Sequence, residues 1–366
     1  MGSEEIGASA TLLSLSRTEL EQRVVELGGK TFHARILREN VLAKGVLDYA
    51  AMTSLPTFLR EHLAETLPIL SGREVTRSVA RDRTTKLLLE FPRGKGRDAT
   101  VETVHMPSLW NEPDAEEGVS EPGATLCVST QVGCPVGCPF CASGQLGLVR
   151  NLGAHEILEQ YVRGRAIGPI ARSVVMGMGE PLLNYANLSV ALDAVHDEMG
   201  LGTRRVTVST VGFPERLRRI APEKPRFQLA ISLHTPDQEQ RDELVPAMKG
   251  VAIEEVLAAG DDWFEKTGRE ITYEYVLLGG ENDSEGHARR LGERLRGRRC
   301  TVNLIPFNAV SGSPYRRTSS EDVERFRATL ERARIVATVR WSRGQESDAA
   351  CGQLRVRRLH GAPPGE

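Results

Sequence analysis

Residues 127–141 read Cys-Val-Ser-Thr-Gln-Val-Gly-Cys-Pro-Val-Gly-Cys-Pro-Phe-Cys and hold four of the six cysteines in a chain of 366 residues. The last three, Cys134, Cys138 and Cys141, are spaced C-x3-C-x2-C. Three close thiolates on a loop rich in glycine and proline can wrap one face of an iron–sulfur cube. A [4Fe–4S] cluster normally takes four cysteines. Three ligands leave one iron open, and an open iron can bind the amino and carboxylate groups of a substrate. Cys127 lies seven residues upstream of Cys134, on what reads as the preceding strand, and is a poor fourth ligand. Structural zinc is the competing reading. It favours paired knuckles, and no second knuckle follows.

Working outward, the chain is long enough for two or three domains and an ample core. Its 47 basic and 49 acidic residues nearly balance, so total charge does not select a nucleic-acid partner. No apolar run approaches the ~18 residues that read as a membrane span. Residues 1–10 carry Glu4 and Glu5 and lack the basic and apolar regions of a secretory signal. Clustered cysteines without a disulfide framework fit a reducing compartment, so a cytoplasmic location is expected.

Upstream, Ser16 followed by Glu19 forms a capping box. Leu20, Val24 and Leu27 then recur at helical spacing until Gly28-Gly29 stops the helix. A second helix is read over 32–43 and a third over 52–67. The expected divisions are a small helical module at 1–68, of a kind that binds nucleic acid or packs on a neighbour, and a basic β-hairpin with an acidic connecting loop at 69–123. A main α/β domain at 124–345 and a C-terminal segment at 346–366 complete the chain. Strands at 86–91 and 100–106 flank the turn Pro92-Arg93-Gly94-Lys95-Gly96. The basic residues around that turn fit either phosphate contact or a protected edge strand.

Downstream, short Val/Ile/Leu-rich runs at 124–129, 173–177, 205–210, 227–233, 271–277, 301–305 and 335–340 read as buried parallel strands. Helices at 155–165, 188–198, 253–267, 286–297 and 320–333 alternate with them. Repeated βα units predict an α/β fold, a parallel sheet or an incomplete barrel, with its site at the C-terminal strand ends. Those ends carry Gly179 and Glu180, Ser209, the run Ser232-Leu233-His234, and Asn308. Glu180 suits an ammonium group. Serine, histidine and asparagine suit ribose hydroxyls and adenine edges. Together they outline a nucleoside pocket. Taken alone, Cys351 and Cys300 read as inert buried thiols.

The cysteine loop, Gly-Met-Gly-Glu-Pro-Leu-Leu-Asn at 177–184, Ser-Leu-His at 232–234, Asn-Leu-Ile-Pro-Phe-Asn at 303–308 and Asp-Ala-Ala-Cys-Gly-Gln-Leu at 348–354 stand in order. This set resembles the RlmN/Cfr family of radical S-adenosylmethionine RNA methyltransferases, from about residue 12 to residue 354. The resemblance implies an incomplete (β/α)6 radical-SAM barrel with an N-terminal helical domain and a short β extension. It implies that Cys134, Cys138 and Cys141 hold a [4Fe–4S] cluster. It places S-adenosylmethionine, two per turnover, among Gly179, Glu180, Ser209, Ser232, Leu233, His234 and Asn308. Cys351 would accept a methyl group, and a 5′-deoxyadenosyl radical would remove hydrogen from it. The carbon radical would add to adenine, and Cys127 would release the product through a disulfide with Cys351. Glu102 matches the family glutamate at the base, with acid–base work. The implied substrates are adenosine 2503 of 23S rRNA and adenosine 37 of tRNAs, methylated at C2. An electron donor such as flavodoxin or ferredoxin is implied, and the basic hairpin gains credit as an RNA contact.

The Gly-Glu-Pro-Leu-Leu-Asn run and the helical module favour C2. Ser209-Thr210-Val211-Gly212 resembles the C8-methylating branch, whose product gives antibiotic resistance, and is the alternative. A non-catalytic iron–sulfur RNA-binding protein is the remote one. Two features depart from the family pattern: Gln345-Glu346-Ser347 ahead of Asp348, and a long loop at 108–123.

Overall fold

Capping fixes the N-terminal helices. In the computed structural model, which describes residues 10–92, 100–108, 123–309 and 313–341, helix α1 (Arg17–Glu26) starts at Ser16. The Ser16 hydroxyl accepts from the Glu19 N–H, and the Glu19 carboxylate accepts from the Ser16 N–H at 2.7 Å. Helix α2 (Thr31–Arg38) runs into a wider π-helical turn at Glu39–Ala43. The third helix, read over 52–67, is shorter. It is α3 (Thr57–Thr66), preceded by a separate 3-10 turn at Tyr49–Ala51. Pro56 stands at the helix entrance, where a missing N–H is tolerated, and its ring bars continuation from the preceding turn.

The main sheet has ten strands among the described residues. It opens with β1 (Arg73–Val79), β2 (Thr85–Glu90) and β3 (Thr100–Met106), an antiparallel extension. The sequence reading found the second and third of these and missed β1. That strand is a largely exposed edge bearing Arg73, Glu74 and Arg77, with no apolar alternation to show it. Next comes β4 (Ala124–Cys127), antiparallel to β3. A two-stranded hairpin, β5 (Gln131–Gly133) with β6 (Leu148–Asn151), then holds the cysteine loop and the short helix α4 (Ala142–Gln145) between its arms.

Regular alternation follows: α5 (Ala154–Ile167), β7 (Ile170–Val175), α6 (Tyr185–Asp197), β8 (Val206–Thr210), α7 (Pro214–Ile220), β9 (Gln228–Ser232), α8 (Gln238–Leu244), α9 (Ile253–Thr267), β10 (Ile271–Leu277), α10 (Glu285–Leu295), β11 (Cys300–Pro306), α11 (Ser320–Arg332) and β12 (Ala337–Val339). Strands β4 and β7 to β12 pair in parallel in sequence order, through six helical crossovers. Among the described residues the sheet runs from β1 at one edge to β12 at the other without closing. This is the expected incomplete (β/α)6 barrel. The turn at 93–99, the acidic stretch at 109–122, Cys351 and the segment 346–366 lie outside the described residues.

The strands are not the continuous apolar runs expected for a fully buried sheet. They alternate. One face carries Leu126, Val206, Val208, Leu229, Ile231, Tyr273, Tyr275, Val302 and Leu304, all buried in the core that the crossover helices complete. The register places Val104 beside Cys127, Cys127 beside Val174, and Val174 beside Thr207. Further along, Ser232, Glu274, Asn303 and Thr338 stand side by side. The inner face of the open barrel is therefore polar, and Asn303 Nδ2 donates to Glu274 at 2.8 Å. Burial pushes the Glu274 carboxyl up to about 7, opposed by the Arg340 charge and the Asn303 hydrogen bond.

The helical module sits on the helix layer. Arg38 forms a two-pronged pair with Glu198, just beyond α6, at 2.6 and 2.8 Å. Glu159 of α5, fully buried, accepts from the Ser71 N–H and hydroxyl, the Gly72 N–H and Arg163 Nε.

Two measurements test these assignments. Arg38→Met leaves the half-buried Glu198 without its partner and is expected to cost about 1–3 kcal/mol. Denaturant unfolding reads this loss, and adding Glu198→Leu should recover much of it. No loss in the single variant would show that the pair does not hold the module. For Glu274, the raised value means the folded chain prefers the protonated acid. That stability is full below the ordinary carboxyl value and fades as pH rises through about 7. Glu274→Gln should thus raise the melting temperature by a few degrees at pH 8 and leave it nearly unchanged at pH 4.5. Equal effects at both pH values would refute the assignment.

Candidate active site

The C-terminal ends of the parallel strands open on one cavity. It is lined by Cys134, Cys138 and Cys141 on one side, with Gly179, Glu180, Ser209, Ser232, His234 and Asn308 around the rest. Leu233 does not reach it. Its side chain is buried on the opposite face, and its N–H is spent on the Glu274 carbonyl at 3.0 Å. Cys127 and Glu102 stand on the inner sheet face, since Val104, the neighbour of Cys127 in register, is two residues from Glu102. Both are buried. Lys86 Nζ pairs with the Glu102 carboxylate at 3.5 Å. Cys300 lies at the start of β11, the end of the strand away from the cavity.

The cysteine hairpin and the Gly-Glu-Pro turn are one unit. Thr130 and Gln131 donate backbone N–H groups to the Met178 carbonyl at 2.8 and 3.2 Å. Gln131 Oε1 accepts from the Glu180 N–H at 2.7 Å. Asn184 Nδ2 donates to the carbonyls of Thr130 and Leu152, both at 2.8 Å. Gly179 permits this approach. Its φ is +107°, and a Cβ there would lie 2.7–2.8 Å from Gln131 and Thr130.

Burial controls the site's electrostatics. It pushes the Cys134 thiol up to about 12, while the N–H groups of Val136 and Gly179 pull it back. Burial also raises Cys141, opposed by the N–H groups of Gly144 and Ser143 and the Ser143 hydroxyl. It raises Cys138 well above the ordinary thiol value, and the strongest opposing influence is Arg241. Burial raises Glu180 too, although its carboxylate accepts from Thr210 Oγ1 at 2.7 Å, the Val211 N–H at 2.9 Å and the Leu182 N–H at 3.0 Å. An ammonium group beside Glu180 would restore its charge. His234 is buried and neutral, held near 3 by desolvation and by Arg241. Its Nδ1 accepts from the Val276 N–H at 3.2 Å, which leaves Nε2 as the protonated nitrogen. His234 has φ +65°, a backbone conformation rare outside glycine, here at the rim of the cavity.

The donor set fits an iron–sulfur cube. Among the described residues no three His, Cys, Asp or Glu side chains converge on one metal ion, as a zinc site would need. A cube takes each thiolate on a different iron, and three sulfurs lining one side of a single cavity, two of them with N–H groups aimed at them, suit that. Sequence reading missed Thr210, which orients Glu180, and Glu274 in the cavity floor. It also missed Arg241, which reads as part of a polar surface helix.

Comparison with known proteins agrees. The radical SAM superfamily model matches residues 128–291, and the ribosomal RNA large subunit methyltransferase N-terminal domain matches residues 10–69. A probable dual-specificity RNA methyltransferase RlmN of Rhodopirellula baltica is 42% identical, across 95% of this chain and 91% of its own length. Its counterpart in Symbiobacterium thermophilum is 44% identical, across 94% of this chain and 91% of its own length. The crystal structure of a radical SAM methyltransferase from Sphaerobacter thermophilus superposes with a TM-score of 0.84 at 40% identity, covering 95% of this chain and all of that one. The chain belongs to the RlmN family of radical S-adenosylmethionine RNA methyltransferases, which use a [4Fe–4S] cluster and S-adenosylmethionine.

Proposed function

We propose that this chain methylates C2 of an adenine in 23S rRNA and in tRNA, with Cys351 as the methyl carrier and Cys127 as the thiol that releases the product. One observation carries the reading. A cysteine triad, a buried carboxylate and polar strand ends share one cavity, while Cys127 and Glu102 occupy the sheet face that leads to it. When bound, the cluster and S-adenosylmethionine supply the one-electron chemistry that a non-nucleophilic ring carbon demands.

The chain's own residues do the rest. Cys134, Cys138 and Cys141 hold the cluster. Glu180 accepts the ammonium of S-adenosylmethionine, Ser209 and Ser232 take ribose hydroxyls, and His234 Nε2 and Asn308 meet the adenine edge. Once the RNA base is linked to Cys351 through a methylene, the Cys127 thiolate attacks the Cys351 sulfur. A sulfur–sulfur bond forms and the carbon–sulfur bond breaks. The electron pair leaves on carbon, which takes a proton to become the methyl group. An external thiol reduces the disulfide before the next cycle. Glu102 is the base for the C2 proton as the methylene link forms, and the unpaired electron left by radical addition would return to the cluster. Unstacking the target base costs a few kcal/mol, drawn from RNA contacts elsewhere.

The test is anaerobic reconstitution with iron and sulfide, followed by S-adenosylmethionine, a reductant and unmodified ribosomal RNA or tRNA. Nucleoside mass spectrometry should show 2-methyladenosine. 8-Methyladenosine would move the chain to the C8 branch, and no methylated nucleoside with either RNA would overturn the assignment. The two thiols separate in the same assay. Cys351→Ala should lose methylation completely. Cys127→Ala should stop at the linked stage, leaving RNA bound to protein through denaturing electrophoresis. Full turnover by either variant would remove that residue from the scheme.

A further inference from the structure

Arg241, on α8, is fully buried. Its Nη2 donates to the Val211 carbonyl at 2.8 Å, and among the described residues Nε and Nη1 have no hydrogen-bond partner. A buried guanidinium with unmet donors is heavily penalised unless an anion lies beside it. The groups around it are few. Val211 and His234 lie just past the ends of the neighbouring strands β8 and β9. Asp242, next in sequence, is already engaged by Gln238 Nε2 at 2.7 Å. Cys138 lines the same cavity as Val211 and His234. The turn after α8 seats directly on the cysteine loop. Ala247 donates its N–H to the Val136 carbonyl at 3.1 Å, and Pro246 packs against Gly137. Arg241 therefore stands behind the cavity wall on the Cys138 side, with the N–H groups of Nε and Nη1 still to place.

We propose that Arg241 is the counter-charge of the iron–sulfur cluster, donating Nε–H or Nη1–H to sulfur on the Cys138 side and raising the cluster's reduction potential. The proposal rests on the reading that Cys134, Cys138 and Cys141 hold the cluster. Three thiolates on an oxidised [4Fe–4S] core leave one net negative charge, and one added electron makes it two. In a dry site a neighbouring guanidinium stabilises the second state more than the first. Arg241 is thus a positioning residue that acts through the cluster.

The test uses the full-length chain, reconstituted anaerobically, with iron and sulfide counted per chain. A redox titration followed by electron paramagnetic resonance, without S-adenosylmethionine, compares the parent with Arg241→Gln and Arg241→Lys. The Gln variant should shift to lower potential, and the Lys variant, which keeps the charge, should shift less. A Gln variant with full iron and an unmoved potential would overturn the proposal. Should that variant fail to fold or load, pulsed resonance on the parent carrying ¹⁵N-guanidino arginine decides. Coupling between ¹⁵N and the reduced cluster is expected, and its absence refutes the contact. A parent that binds no cluster is a distinct result, and it would sink the ligand reading together with this proposal.

Discussion

The site depends on a single close approach. The Met178 carbonyl and the Gly179 backbone lie against Thr130 and Gln131, so the turn after β7 and the cysteine hairpin share hydrogen bonds. This joins the group that would take an ammonium, Glu180, to the loop that would hold the cluster. Neither could shift without the other. A side chain at position 179 would collide with Gln131 and Thr130. It would also meet a backbone angle that L-residues avoid, and so would pry the two halves of the site apart. A substrate that bridges an open iron and a carboxylate needs both at a fixed separation, and shared backbone hydrogen bonds set that separation more firmly than flexible side chains would.

Negative charge is the second constraint. Cys134, Cys138 and Glu180 are buried and Cys141 is half-buried in one low-dielectric space, and desolvation opposes the ionised form of each. The fold answers with donors. Backbone N–H groups approach Cys134 and Cys141, two N–H groups and a hydroxyl fix Glu180, and Arg241 serves Cys138. The sulfurs are then ready for metal, whose own positive charge reverses the cost of ionising them. A barrel core filled with branched aliphatics would offer none of this. The polar inner face is tolerable because the barrel stays open and its stability comes from the other face, packed under the helices.

Much of this was legible in the chain. The ranges read for α9 and β10 coincide with the structure, because Gly268 breaks the pattern between them and each run is strongly periodic. The cysteine spacing and the strand-end motifs named most of the cavity wall. Other parts depended on tertiary context. β1 is a charged edge with no hydrophobic rhythm. β5 and β6 are short and pair around a loop, so neither has a signal of its own. Arg241 sits in Gln-Glu-Gln-Arg-Asp-Glu-Leu, which looks like a solvated helix face, and only packing under the cysteine loop makes it a core residue. Leu233 has the opposite history. Its motif suggested a ligand contact, and strand alternation turns its side chain away.

Alternation also governs what Cys127 can do. The preceding residue, Leu126, is fully buried in the helix-facing core. A slip of one position in the pairing of β4 would exchange the two, placing Leu126 inside the barrel and the Cys127 thiol among the helices. Such a slip is opposed twice, by β3 on one side and by β7 on the other, where Cys127 stands beside Val104 and Val174. The antiparallel extension is therefore more than an appendage to the barrel. It completes the pairing of β4 and carries Glu102 on the same face. By fixing the register, it keeps Glu102 and Cys127, the proposed base and resolving thiol, facing the space where the cluster chemistry would occur.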